Sequence, residues 1–384
     1  MEDKHQESFH MPSIQPVMGT SLYAIQEEAT TTKSLRPLSL ILTRVHAGYF
    51  GITLSISSQA LLWKILSSPV NSSQGLHHMF HKLPSLSFLL LWCLAFPIQV
   101  FLSLLYTLKC FLHFNMVKQE FKHHVGVNYL FAPWVSWLLL LQSSPWVSPD
   151  SALYVLLWWA FVTPLIALDV KIYGQWFTTE KRFLSAFAST ASHMTVLGNL
   201  VGARTAALMG WKESALCMFS LGIIHYLVIF VTLYQRLSGE NYSPPNLRPT
   251  LCLFFAVPST ASSSWRSISG SFDQPSKMMF YLSLFIFASL ACRPLLFKRC
   301  MRRFNVAWWV YSFSLTFLAL SSAEYAHDMR GIRGKGLMLA LSALSVVVFL
   351  SLLVLTALRL DQLLWDEEQD EEPSLGFPSD SESS

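Results

Sequence analysis

Charged residues are scarce in this sequence of 384 residues: Asp, Glu, Lys and Arg together make up 13% of it, whereas hydrophobic residues make up 52%. That balance excludes an ordinary soluble domain, in which about 25% of the residues are charged. The hydrophobic residues recur in runs of about 20, the number that an α-helix needs to cross a bilayer. The sequence therefore predicts an all-α polytopic membrane protein.

The sequence also lacks the motifs of several kinds of chemistry. It has no GxxxxGK[ST] loop for a nucleotide, and its six cysteines show no CxxC or CxxH spacing typical of zinc sites. Three histidines, His77, His78 and His81, have no carboxylate or cysteine fixed beside them to complete a metal site. No arrangement of nucleophile and base can be argued either. We therefore predict no enzyme activity, no cofactor and no bound metal.

The hydrophobic runs predict ten transmembrane helices, paired as five helical hairpins. Helices satisfy their own backbone polar groups within lipid, and no alternating pattern typical of a barrel is present. We expect a membrane domain over residues 45–360, between a polar N-terminal tail, 1–44, and an acidic, Ser-rich C-terminal tail, 361–384, both mostly disordered. The predicted spans are 46–66, 86–112, 126–142, 150–173, 190–207, 212–236, 248–266, 274–297, 304–327 and 335–360.

The positive residues predict the orientation of these spans. Of the 27 Lys and Arg residues, 18 lie on the side of the membrane that holds both termini. Because Lys and Arg are enriched in cytoplasmic loops, we expect both termini to be cytoplasmic.

The odd-numbered and even-numbered spans differ in composition. Bulky apolar residues cover the even spans, as expected for helices that face lipid. The odd spans carry small and polar residues on one face, with Ser55 in the first and Thr195 and Asn199 in the fifth as candidates to line a pathway. Two prolines add to the contrast, Pro133 in the third span and Pro258 in the seventh, and each is expected to kink its helix. Five such helices inside five apolar ones would enclose a polar pathway, although small-residue faces also serve as packing seams.

The ninth span contains a polar stripe with an aromatic residue beside it. Asn305, Ser312 and Thr316 fall within about 40° of one another on a helical wheel, and Phe313 lies roughly 60° from Thr316. Ser312 and Thr316 are therefore further candidates to line the pathway. A phenyl ring at Phe313 either plugs the pathway, by expelling water from it, or packs between helices.

The charges indicate which ions such a pathway would favour. Carboxylates within the spans are too few to select a cation. Lys181, Arg182 and Arg303 lie at cytoplasmic ends of the spans, and Arg204 lies at the opposite end of the fifth. Positive residues at a pore mouth raise the local anion concentration, but cytoplasmic Lys and Arg also set orientation and bind lipid head groups. The residues alone leave both roles open.

Five motifs resemble a known family. They are HAGYF at 46–50, VNYLFAPW at 127–134, KIYGQWFTTEKR at 171–182, HYLVIFVTLYQRL at 225–237 and FNVAWWVYSF at 304–313. Together, in this order, they resemble the plant slow-type anion channels, in particular the short-tailed slow-anion-channel-associated homologues. The same superfamily includes tellurite-resistance and dicarboxylate transporters of bacteria and fungi.

The resemblance implies a trimer of identical or related subunits, each with its own anion channel pore lined by the odd helices around a quasi-fivefold axis. It implies nitrate and chloride as permeant ions, the plasma membrane as the location, and Phe313 as the ring that occludes the pore. Longer members of the family have extended cytosolic termini that receive activating kinases, and a protein kinase is therefore a candidate partner of this chain. Ser314 stands where much of the family has proline, so a backbone donor is restored and the helix is expected to be straighter there.

Two other functions stay open at this point. The first is an electrically silent subunit that alters the gating of longer-tailed relatives in mixed trimers, an interpretation that the short tails and Ser314 support. The second is a proton-coupled carrier of dicarboxylates such as malate. A carrier of that kind needs a titratable group inside the membrane, and such groups are scarce in the spans.

Overall fold

The computed structural model describes residues 42–67, 77–123, 125–178, 188–237, 245–293, 304–329 and 332–359. These residues form helices joined by short connections, and no strand occurs among them. The all-helical prediction is therefore confirmed. The two predicted tails lie almost entirely outside the described residues.

Helices of 12 residues or more account for most of the described chain. Two shorter helices, Phe114–Lys122 and Gly126–Tyr129, lie between the second and third of them. The longer helices are α1 (Phe50–Ser67), α2 (His77–Leu112), α3 (Ala132–Ser143), α4 (Ala152–Thr178), α5 (His193–Leu208), α6 (Lys212–Leu237), α7 (Leu253–Ser269), α8 (Gln274–Ala291), α9 (Trp309–Met329) and α10 (Ile332–Leu358).

The sequence predicts ten spans, but fewer of the described helices are long and apolar enough to cross a membrane alone. Among the described residues five qualify, in α2, α4, α6, α9 and α10. A sixth candidate joins Phe114–Lys122 to Gly126–Ser143 and is bent by 104°. The 12 residues of α3 extend only about 18 Å, against a hydrocarbon core of about 30 Å. A helix that is surrounded by other helices can be shorter and less apolar than a helix that is surrounded by lipid.

The odd-numbered and even-numbered helices differ sharply in burial. In the apolar stretches of α2, α4, α6 and α10, between 17% and 33% of the residues are buried, whereas in α9 83% are buried. In α5 every residue from His193 to Ala206 is buried. The helices with polar faces therefore lie inside the bundle, and the more apolar helices cover them.

The odd-numbered helices pack on one another in a closed order. α1 packs on α3, α3 on α5, α5 on α7, α7 on α9, and α9 returns to α1. We call these five helices the inner ring. Each also packs on the even-numbered helix that follows it in the chain. Short 3-10 turns precede α1, α5, α7 and α9 directly, and contacts among these turns bring the four helix starts together at one end of the ring.

Pro258 lies inside α7, as predicted, and the surrounding side chains compensate for its missing N–H group. The carbonyl that an N–H at this position would bind belongs to Phe254, four residues earlier. The hydroxyl of Tyr226 on α6 donates to that carbonyl at 3.2 Å. On α8, Ser283 donates to the next carbonyl, that of Phe255, at 2.7 Å.

Pro133 stands in the first turn of α3 rather than in the middle of a helix. The interruption precedes it, because the short helix Gly126–Tyr129 ends four residues earlier. Gln99 of α2 donates its Nε2 to the Pro133 carbonyl at 3.0 Å. Prolines also occur inside α2 and α4, at Pro97 and Pro164, so the predicted contrast in proline between odd and even helices is wrong.

Replacing Tyr226 by Phe tests the compensation at Pro258. Tyr226→Phe leaves the buried Phe254 carbonyl without its side-chain donor, and we expect a loss of about 1–3 kcal/mol of stability. The measurement is thermal unfolding of the purified protein in detergent. Tyr234→Phe is the matched control, because Tyr234 lies on the same helix and is 66% exposed. Equal unfolding temperatures for the two variants would contradict the assignment.

Candidate functional site: the inner ring

Phe313 lies on the inner ring, in α9, with 1% of its surface exposed. Its ring centroid is 5.0 Å from that of Phe317, at an interplanar angle of 58°. The direction of its side chain follows from three neighbours on the same helix. Ser312 bonds to α1, Ser321 donates to the Ser259 carbonyl of α7 at 2.7 Å, and Tyr325 bonds to Tyr281 of α8 at 3.1 Å.

A helical wheel combines these contacts. Phe313 lies about 100° from Ser312 on one side and about 80° from Ser321 on the other, so it falls between the directions of α1 and α7. Tyr325, which contacts the outer helix α8, lies about 120° away. The Phe313 ring is therefore on the side of α9 that is turned away from α8.

Ser312 and Thr316 bond to neighbouring helices. Ser55 of α1 donates to Ser312 at 2.6 Å, so two of the predicted lining residues contact each other. Thr316 accepts from Nε2 of Gln59 at 2.9 Å, and the same amide reaches Ser345 of α10 at 2.8 Å. The stripe predicted in α9 therefore joins α9 to α1 and, at Thr316, to an outer helix. Sequence reasoning missed Gln59, although it stands four residues after Ser55 on the same face.

Thr195 and Asn199 occupy a second polar cluster, around α5. The Thr195 hydroxyl donates to Asn128 Oδ1 at 3.4 Å. Asn199 Nδ2 donates to Asp169 Oδ2 of α4 at 2.9 Å, and Asp169 is 2% exposed. The Asn199 amide therefore lies at the interface between α4 and α5. The other predicted feature of the ring, Ser314, is fully buried, and α9 continues through it without a break.

Charged residues gather where the inner helices end. Arg204 Nη2 of α5 lies 2.8 Å from Glu324 Oε1 of α9. Arg266 Nη1 of α7 lies 4.0 Å from the same oxygen, and Arg266 Nη2 lies 3.0 Å from Asp328 Oδ1. We call these four residues the charged end. Lys64 of α1 lies at the same end of its own helix and donates to the Gln142 carbonyl of α3 at 2.9 Å.

The ion pair of Arg204 and Glu324 is buried and only partly satisfied. Arg204 is 5% exposed and Glu324 1% exposed. Within the described part of the chain, Arg204 Nε and Nη1 and Glu324 Oε2 have no hydrogen-bond partner. Arg204 was predicted as an anion-attracting residue from its place near the end of a span. Its partner was not, because 120 residues separate the two in sequence.

Three other predicted anion-attracting residues, Lys181, Arg182 and Arg303, lie outside the described residues. Over the described ranges, no group of three or more His, Cys, Asp or Glu side chains is arranged to hold a metal ion. The polar groups of the inner ring thus bond mainly to one another, and the strongest charges lie at one end of it.

A bundle of membrane helices with its polar helices inside is typical of channels and transporters. The chain belongs to the voltage-dependent anion channel family, whose sequence profile matches residues 44–357. The resemblance to the plant slow-type anion channels is confirmed. The chain is 55% identical over 362 residues to S-type anion channel SLAH1 of Arabidopsis thaliana, covering 94% of this chain and 92% of that protein.

Two further relatives come from the same plant. S-type anion channel SLAH4 is 54% identical over 348 residues, which cover 88% of this chain and 93% of that protein. Guard cell S-type anion channel SLAC1 is 40% identical over 321 residues, which cover 83% of this chain but 56% of that longer protein.

The buried ion pair predicts an order of stabilities among variants. Glu324→Leu leaves Arg204 without a carboxylate and should cost about 3–5 kcal/mol. Arg204→Leu should cost less, because Arg266 lies 4.0 Å from Glu324 and offsets part of the loss. The double variant should recover most of the stability, since it leaves neither charge of the pair behind. Thermal unfolding in detergent measures all three.

Lys212→Leu is the control for that series, because Lys212 is an exposed cation beside the same end of α5. A double variant less stable than either single one would show that the pair is not the cause of the losses.

Proposed function

We propose that this protein is an anion channel of the plasma membrane that passes nitrate and chloride through the centre of the inner ring. In this proposal its ten helices cross the membrane as five hairpins around a quasi-fivefold axis, with both termini cytoplasmic. The subunits assemble as trimers, alone or with related subunits, and a protein kinase activates them. Membership of the voltage-dependent anion channel family supports the anion channel, and the burial of the odd helix α5 supports a pathway enclosed by the odd helices.

The charges support anions as the permeant ions. The inner ring carries Lys64, Arg204 and Arg266 near the ends of three helices. The carboxylates of Glu324 and Asp328 are already engaged with the two arginines. Asp169 lies on an outer helix and faces Asn199, behind the ring. An anion passing through the ring would therefore meet more cationic groups than uncompensated carboxylates, and weak contacts with hydroxyls such as Ser55 and Thr195 would let it leave again.

The observation that carries the proposal is the position of Phe313. The Phe313 side chain is buried on the side of α9 that lies between α1 and α7, the two neighbours of α9 in the inner ring. A phenyl group that points into the centre of five such helices excludes water and therefore resists ion passage. We propose that Phe313 closes the pore at rest.

Phe313→Ala is expected to open this channel. Removing the phenyl ring lets water and anions enter the constriction, so we expect a large current in cells that express the chain alone. The current should reverse at the equilibrium potential of nitrate or of chloride when either is the bath anion. Phe285→Ala is the matched control, because Phe285 is 70% exposed on the outer helix α8 and its loss should leave the current at the wild-type level.

The same recordings separate the alternatives. A silent subunit would give no current with either variant alone, although both reach the cell surface, and would change the current of a co-expressed relative. A dicarboxylate carrier would instead give transport that saturates with malate and is coupled to pH. Either outcome would contradict the proposal that the chain alone forms an anion channel closed by Phe313.

A further inference from the structure

The ion pair at the charged end joins two helices that are not neighbours in the inner ring. α5 packs on α3 and α7, whereas α9 packs on α7 and α1. Arg204 nevertheless lies 2.8 Å from Glu324. Side chains from two helices that flank α7 on either side can meet only in front of α7, within the ring. The pair therefore spans the interior of the ring.

The pair lies on the same face of α9 as Phe313. Glu324 follows Phe313 by 11 residues, which places it within about 20° of Phe313 on a wheel and about 16 Å further along the helix axis. On α5, Arg204 lies about 140° from Asn199, whose amide faces the outer helix α4. Both members of the pair are thus directed toward the centre. The pathway has two obstacles in series, one aromatic and one ionic.

Arg204 retains capacity to bind an anion. A guanidinium carries five N–H donors in a fork that matches planar oxyanions. Arg204 Nη2 bonds to Glu324, but Nε and Nη1 have no partner in the described chain, and the side chain is 6% exposed. A buried cation with unused donors stabilises any small anion that reaches it. The Glu324 carboxylate fills part of this site.

Glu324 also has a second cation within reach. Its Oε1, which contacts Arg204, lies 4.0 Å from Arg266 Nη1. Arg266 is itself held by Asp328, which accepts from its Nη2 at 3.0 Å and its Nε at 3.2 Å. A short movement of the carboxylate from Arg204 to Arg266 would keep it paired and leave Arg204 available. The charged end therefore supports two arrangements of the same four side chains.

We propose that Arg204 is a binding site for small monovalent anions and that Glu324 acts as a tethered anion, which occupies this site until a permeating anion displaces it toward Arg266. This inference rests on the proposed function, because it places the site in the conduction pathway. It adds a second closure, independent of Phe313, whose opening depends on the concentration of the permeant anion.

Electrical recording tests the closure in a Phe313→Ala background. Adding Glu324→Gln removes the competing charge and keeps the shape of the side chain. We expect the anion concentration for half-maximal current to fall about tenfold, the change that about 1.4 kcal/mol of competition would produce. Glu213→Gln is the matched control, because Glu213 is an exposed carboxylate in the first turn of α6, outside the charged end, and its loss should leave that concentration unchanged. Identical concentration dependence with and without Glu324→Gln would overturn the proposal.

A binding measurement separates failure of this inference from failure of the proposed function. Thermal unfolding of the purified protein is followed while sodium nitrate is added, with sodium gluconate keeping the ionic strength constant. The Glu324→Gln variant should be stabilised at about tenfold lower nitrate concentration than wild type, and Arg204→Gln should not respond. If Phe313→Ala is silent but this order holds, the site stands and the conduction proposal fails. If Glu324→Gln and wild type respond equally, the site itself is refuted.

Discussion

Most polar side chains inside this bundle bond to other side chains or to backbone carbonyls of the protein, because lipid offers no partner. The inner ring depends on that constraint. The bond between Ser55 and Ser312 joins α1 to α9, and Gln142 of α3 donates to Thr205 of α5 at 2.6 Å. The Tyr226 hydroxyl compensates for a proline. The polar residues that a pathway needs are thus the same residues that hold the five helices together.

The features that could be predicted from the sequence are those that depend on residues close together in the chain. The alternation of polar-faced and apolar helices is local, since it depends on residues three and four apart, and the burial of α5 and α9 agrees with it. Phe313 was identified beside a polar stripe and lies buried on the ring. The all-helical class needed only composition and the length of the hydrophobic runs.

Other features depend on residues far apart in the chain, and no local pattern reports them. Glu324 pairs with Arg204, 120 residues earlier in the chain, and no local pattern links the two. Asn199 was expected on the pathway, but its amide turns to Asp169 on α4. The count of ten spans rested on hydrophobic runs of about 20 residues, whereas α3 has 12 residues, is enclosed by other helices and is too short to span a membrane alone.

The two proposed obstacles, Phe313 and the ion pair, lie on one face of α9 and would allow such a channel to stay closed yet pass anions readily once open. In this proposal the apolar Phe313 side chain would block ions without binding them, and the ion pair would block the pathway until an anion displaces Glu324 from Arg204. Neither obstacle requires a deep binding site, which would slow the exit of the ion. The outer helices α2, α4, α6 and α10 are mostly exposed and cover the inner ring.

The most direct test of the central claim is to ask which face of α9 meets water in the open pathway. In a Phe313→Ala background, Leu320→Cys lies about 20° from the Phe313 position on a wheel, and Leu318→Cys about 140° from it. Both positions are fully or almost fully buried in the closed arrangement. Labelling by a membrane-impermeant thiol reagent, located by peptide mass spectrometry, should modify Cys at 320 and spare Cys at 318. Equal labelling, or labelling at 318 alone, would show that the conduction pathway does not run through the centre of the inner ring.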